Sequence, residues 1–190
     1  AEHINFALEE DNLKFSGNIN VRHLLEMFAQ DIGPEEIKRK VTKPLEGLKV
    51  APYYGCQILR PKKDHEEVEN PRYFEDLLTA IGASPIEYTL KTRCCGGSLI
   101  ISSRVAALSM VRNLLQSALD KGADVIATAC PMCQVNLECY QQAVNQEFGT
   151  NYSVPILYFT QLLGLALGIP KKKLGIGKEL VSAMPVFATR

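Results

Sequence analysis

Residues 123–133 read ADVIATACPMC. Gly122 stops whatever helix precedes them, and the run from Ala123 to Ala129 is continuous and apolar, as expected of a parallel strand buried on both faces. It passes directly into Cys130-Pro131-Met132-Cys133, with the proline where a helix would start. Two thiols therefore stand at a strand end and at a helix N-terminus together.

The same succession recurs on the N-terminal side. Residues 48–54, LKVAPYY, form a short apolar strand candidate that runs into Gly55-Cys56. Residues 84–90, SPIEYTL, form a second and run into Cys94-Cys95-Gly96-Gly97. Downstream, VPILYF at 154–159 is a fourth candidate, followed by a final helix, TQLLGLALG. Between the strands lie helical patterns. One follows Asn70-Pro71 and closes at Gly82, one spans 98–121, and one runs from the Cys-Pro-Met-Cys segment to about Glu147. Strand and helix alternate four times. That predicts an α/β fold, a roughly four-stranded parallel sheet flanked by helices with the cysteines at strand C-terminal ends.

Ahead of it, residues 1–47 read as a short helical extension and residues 48–190 as the cysteine-rich α/β domain. In the extension Val21, Leu24, Leu25, Phe28 and Ile32 recur at helical spacing, with Asn20 as N-cap and Gly33 as the stop. Pro34 opens a second helix, PEEIKRKV, with acids first and bases last.

In open parallel sheets ligands bind beyond the carboxyl ends of the strands. Cys56, Cys94, Cys95, Cys130 and Cys133 should therefore converge, although up to 77 positions separate them. A helix N-terminus stabilises the thiolate, the metal-binding form. Adjacent Cys94 and Cys95 point in divergent directions, so both suit a polynuclear body better than one small ion. Gly96 and Gly97 would let the backbone approach such a body, and Arg93 would offset thiolate charge. Soft thiolates select zinc, copper(I) or iron–sulfur clusters, and five exceed the four of an ordinary zinc or cubane site.

The rest of the composition narrows the class. The chain has 190 residues, 46% hydrophobic and 22% charged, with 21 basic and 21 acidic side chains. Zero net charge argues against nucleic acid or an anionic membrane as the main partner. No apolar run reaches the roughly 20 residues of a transmembrane helix. The opening AEHINFALEEDN shows no secretory signal and reads as the middle of a protein. A reducing, cytoplasmic location is expected, or one peripheral to a membrane complex. There, clustered cysteines more often mean metal binding or catalysis than disulfides.

One cysteine, then Cys-Cys-Gly, then Cys-x-x-Cys, in the settings YYGC, RCCGG and TACPMCQ, resembles the cysteine-rich CCG-domain family. That family includes the B subunit of heterodisulfide reductase and related subunits of thiol-linked fumarate reductases. The resemblance runs from about Val21 to Val186. It implies an oxidoreductase subunit whose five cysteines ligate a 4Fe–4S cluster of noncubane type, at which a disulfide is cleaved in one-electron steps. It further implies partner subunits of a redox complex, an electron-donating iron–sulfur or flavin subunit among them, and a small disulfide or thiol substrate. The full-length B subunit resembles a tandem repeat. This chain, with one motif, resembles its C-terminal half or a single-motif relative.

Two other classes compete: a structural zinc or electron-relay docking module without catalysis, and a bare thiol–disulfide domain. Aerobic preparations of a cluster protein would be expected to hold zinc, disulfides or nothing at the site. Among the remaining candidates, Cys139 is expected to be a packing residue, and His23 packed or capping. His65, in the charged run KKDHEEVE, reads as a solvated loop residue, and Lys171-Lys172-Lys173 as a solvated helix end.

Overall fold

In the computed structural model the described residues are 2–19, 21–59, 68 and 70–188. Four strands form one sheet: β1 (Lys49–Tyr53), β2 (Ser84–Pro85), β3 (Val125–Thr128) and β4 (Ile156–Tyr158). Their spatial order is β2-β1-β3-β4 and every pair is parallel. Val50 lies opposite Val125, and Ile126 opposite Ile156.

Helices cover both faces, which is why the strands are apolar without alternation. Val50, Val125, Ala127 and Leu157 pack with Phe74, Leu77 and Leu78 of α4 (Tyr73–Ala80) and with Leu162 and Leu163 of α8 (Phe159–Ala166). The intervening residues Ala51, Tyr53, Ile126 and Ile156 face the opposite way. They meet Leu108, Val111 and Leu115 of α5 (Arg104–Asp120), Leu137 of α6 (Pro131–Cys139) and Val144 of α7 (Gln141–Phe148). Burying each such leucine, valine or phenylalanine contributes about 1.5–3 kcal/mol. Cys95 and Cys133 belong to this second core.

The second strand is much shorter than its apolar run predicts, and Pro52 supplies the reason. Along β1, Leu48 and Val50 accept amides from Ser84 and Ile86, whereas Lys49 accepts one from Asp124. The next residue facing β2 is Pro52, which has no N–H to offer. The β2 chain leaves the sheet there and returns only when Tyr54 N–H donates to the Lys91 carbonyl at 3.0 Å.

Other boundaries also move. The helix expected over 98–121 starts at Arg104, preceded by a 3-10 turn at Gly97–Leu99. Ser98, Ser102 and Ser103 are weak in a helix interior, and the strong formers begin with RVAAL. The helix expected to reach Glu147 is broken at Tyr140 into α6 and α7. The break lets the buried Gln141 amide bridge the Val154 backbone, with both bonds at 2.8 Å.

In the extension, the chain enters helix later than Asn20 predicts, a residue that lies outside those described. Helix α2 (Leu24–Glu26) is capped by His23 and continues as a π-helical stretch, Met27–Ile32, before α3 (Pro34–Lys40). A first helix, α1 (Glu2–Leu8), has no sequence precedent in the pattern because it buries nothing. It is tied instead by the Asn5 side chain to the backbone of Phe15. Leu25 and Ile37 anchor the extension in the first core. Among the described residues, no helix is long and apolar enough to cross a membrane.

Candidate metal centre

Each cysteine-bearing loop leaves a strand end at the same edge of the sheet. β3 passes through Ala129 into Cys130, which is the N-cap of α6, with Pro131 in the first turn and Cys133 one turn on. β1 passes through Tyr54 into Gly55, whose φ of +71° is the turn that a side-chain-bearing residue rarely makes. There the chain comes so close to α6 that a Cβ on Gly55 would stand 3.0 Å from Cys133 Sγ. Cys56 follows at once and is half-buried.

Cys95 Sγ lies 3.6 Å from Cys133 Sγ, and both thiols are buried. Cys130 stands three residues before Cys133 at the start of the same helix, and the two thiols shift one another. Cys94 turns elsewhere, its half-buried Sγ accepting the Gly96 N–H at 3.4 Å. The two adjacent sulfurs thus have different partners. The buried Asn136 side chain, one turn after Cys133, donates to the Cys95 carbonyl at 2.8 Å and locks α6 to the Cys-Cys turn. Tyr53 lies beneath, its hydroxyl donating to the Arg93 carbonyl at 2.6 Å. The Arg93 side chain is exposed.

The thiols strongly perturb one another. Hydrogen bonding to Cys133 holds the Cys95 and Cys130 thiols well below the usual range. The α6 amides of Met132 and Cys133 favour the Cys130 thiolate as well. The same bonds, with burial, push Cys133 far up. Burial, with the Cys133 and Cys95 thiols next, keeps the Tyr53 phenol protonated throughout. Two sulfurs poised to lose protons beside a third form an environment that favours a bound cation. The converging donors are soft sulfurs, with no carboxylate among the groups that shift them, and this chemistry fits an iron–sulfur cluster or zinc. Among the described residues, no three His, Cys, Asp or Glu side chains close around a single-ion position.

The two glycines of the Cys-Cys-Gly-Gly run differ. Gly96, at φ +79°, lets the turn pack on α5, because a Cβ there would stand 3.1 Å from Ala107 Cα. A Cβ on Gly97 would meet Met132 Cγ at 3.2 Å and Cys95 Sγ at 3.5 Å.

Cys139 is exposed at the end of α6, so the packing role expected for it is not what it has. His65 lies outside the described residues. Lys171, in the triplet expected to be a solvated end, instead donates to the Phe187 carbonyl at 2.9 Å.

Two residues reach the site without a signal in the sequence. His23 caps α2, its Nδ1 accepting the Leu25 N–H at 3.1 Å. The ring proton is thereby on Nε2, which donates to the Ala129 carbonyl at 3.1 Å. The Tyr158 hydroxyl donates to the same carbonyl at 2.7 Å. With Thr128 Oγ1 accepting the Cys130 N–H at 3.3 Å, the peptide leading into Cys130 is held at both ends. Capping was an expected role for His23. Its 106-residue reach to Ala129 is invisible to any local pattern.

Comparison with known proteins gives this geometry a context. Residues 50–138 match the model of the CCG cysteine-rich domain. The chain is 39% identical over 188 residues to the B subunit of the ferredoxin:CoB-CoM heterodisulfide reductase of Methanosarcina mazei, covering 97% of this chain and 62% of that protein. It is 38% identical to the 8-methylmenaquinol:fumarate reductase membrane anchor subunit of Wolinella succinogenes, covering 96% and 64%. The chain thus spans less than two thirds of the length of either relative. In structure it resembles a hypothetical protein from Helicobacter pylori, with a TM-score of 0.72 at 14% identity, over 96% of this chain and 33% of that one. That likeness establishes the fold.

Proposed function

Residues 50–138 of this chain are a CCG cysteine-rich domain, and from that premise we propose that the chain is an iron–sulfur subunit of a redox complex, of heterodisulfide reductase type. Cys56, Cys94, Cys95, Cys130 and Cys133 are its cluster ligands, within a domain spanning residues 48–190 and behind an extension spanning 1–47. The cluster is of the noncubane 4Fe–4S type, and Gly96 and Gly97 form the turn beside it. When bound, it supplies one-electron redox chemistry and an iron able to accept sulfur.

The observation that carries the proposal is the contact of the Cys95 and Cys133 thiols from two strand ends, with Cys130 capping the helix that carries Cys133 and with the Cys95 and Cys130 thiols favoured as thiolates. The two relatives are named as reductase subunits, which supports a redox role. The chain's own residues position the sulfurs. Asn136 holds the Cys-Cys turn, and Gly55 admits the Cys56 loop. The substrate is a small disulfide. Its cleavage takes two electrons and two protons and yields two thiols, the electrons coming from an iron–sulfur or flavin partner subunit. Exposed Leu99 and Ile101 beside the Cys-Cys turn, and Met132 and Val135 on α6, give a partner apolar surface next to the site.

Metal and acid-labile sulfide analysis of anaerobically purified protein tests this, with EPR before and after addition of a disulfide. Stoichiometric iron and sulfide with a substrate-sensitive signal is the expected result. A colourless protein with one zinc and no sulfide would overturn it. Zinc is the second reading, because the 3.6 Å between Cys95 and Cys133 is close to the ~3.8 Å edge of a tetrahedral zinc–thiolate site with bonds of about 2.3 Å.

A further inference from the structure

Three side chains outside the cysteine set are buried together where two of its loops begin. Glu75 of α4 and Lys91 are both about 3% exposed, and Lys91 Nζ stands 2.5 Å from Glu75 Oε1. Lys91 Nζ also donates to the Pro71 carbonyl at 2.9 Å and has Glu87 Oε2 at 3.8 Å. The Tyr54 hydroxyl donates to the other Glu75 oxygen and accepts the Phe74 N–H at 2.9 Å. The Tyr54 N–H donates to the Lys91 carbonyl at 3.0 Å. Tyr54 is two residues before Cys56 and Lys91 three before Cys94.

We propose that Glu75, Lys91 and Tyr54 are positioning residues that hold the Cys56 loop in register with the Cys94–Cys95 turn. The proposal rests on the five-cysteine reading for its purpose. It stands on its own geometry for the register itself. Pro52 has ended the β1–β2 ladder, so the sheet no longer fixes the distance between these two chains. The Tyr54–Lys91 backbone bond is what replaces it, and it is closed into a ring by side chains that meet on Glu75. A buried ion pair is a poor stabiliser, since apolar replacements of the whole pair are often neutral. Its expense is better explained by specificity: a carboxylate with two oxygens, each given a different partner, accepts only one placement of Tyr54 relative to Lys91.

The paired variant Glu75→Gln with Lys91→Met leaves no lone buried charge, and its amide still accepts from Tyr54. Tyr54→Phe keeps the ion pair and removes the link to it. Both are measured as anaerobic, reduced, metal-free full chain, by amide hydrogen exchange at Tyr54 and by titration with Cd2+, whose thiolate absorption counts the sulfurs bound. The expected result is cooperative thermal unfolding at a lowered midpoint, exchange at Tyr54 faster by about tenfold, and Cd2+ affinity weaker by about 10–100-fold with fewer thiolates per ion. Folded variants with unchanged exchange and unchanged Cd2+ binding would overturn the proposal. If the paired variant fails to fold, Tyr54→Phe decides by the same two measurements. If the unaltered chain binds Cd2+ without thiolate absorption, the five-cysteine reading fails, and the exchange rates still judge the register.

Discussion

Gly55→Ala tests the architecture of the site at its narrowest point. Two penalties act there and can be separated. The backbone at φ +71° costs a residue with a Cβ about 1–2 kcal/mol. The added carbon would also stand 3.0 Å from Cys133 Sγ and 3.9 Å from the Tyr53 ring. Cys133 cannot retreat cheaply, being buried and in contact with Cys95. Overpacking of this kind costs a further 1–3 kcal/mol or so. Gly149→Ala is the control, since its φ is +64° and a Cβ there meets nothing within 4 Å. Urea unfolding of the reduced metal-free chains should place Gly149→Ala about 1–2 kcal/mol below the parent and Gly55→Ala about 2–5 kcal/mol below it. After anaerobic reconstitution the control should load iron and sulfide like the parent, and Gly55→Ala should load less. Equal stabilities for the two variants, with full loading of Gly55→Ala, would refute the close approach of the Cys56 loop to Cys133.

Asn136→Leu removes the donor to the buried Cys95 carbonyl. It should cost about 1–3 kcal/mol in urea unfolding, and a loss below about 0.5 kcal/mol would mean that the bond is not formed. His23→Asn keeps an N-cap acceptor but no longer reaches Ala129, and Tyr158→Phe removes the other donor to that carbonyl. Each alone should cost about 0.5–1.5 kcal/mol. Together they should exceed their sum by roughly 1 kcal/mol, because only the pair leaves a buried carbonyl without a donor; strict additivity in a double-mutant cycle would count against the shared acceptor. Cys139 is exposed, so Cys139→Ser should leave iron content unchanged and abolish the thiol that alkylates in the loaded protein. Partial burial and the Glu138 carboxylate raise the Cys139 thiol. Its alkylation should therefore be slow near neutrality and speed up as pH rises; a rate flat from neutral to alkaline pH would contradict this.

Much of the fold was legible because its signals are local. Continuous apolar runs such as 123–129, each punctuated by glycine or proline and followed by helical spacing, imply a parallel sheet without any knowledge of contacts. The rule that such strands present their carboxyl ends at one edge then gathers the cysteines. Errors fell where a nonlocal partner decided. The run 84–90 has the apolarity of a strand, yet its ladder stops after Ser84–Pro85, because Pro52 on the neighbouring strand lacks the N–H. Helix α1 buries nothing and so leaves no periodic trace. Cys139 has the composition of a core residue and the position of a surface one.

The sequence by itself determined which side chains are soft sulfur donors and at which strand ends they stand, since residue type and backbone periodicity are properties of the chain. Only the tertiary structure decided how those ends are held. The Glu75–Lys91–Tyr54 ring, the clamp of His23 and Tyr158 on Ala129, and the contact of Gly55 with Cys133 join residues from 16 to 106 positions apart. Each depends on burial and distance, which carry no period along the chain and are settled only when the two cores on the sheet have closed.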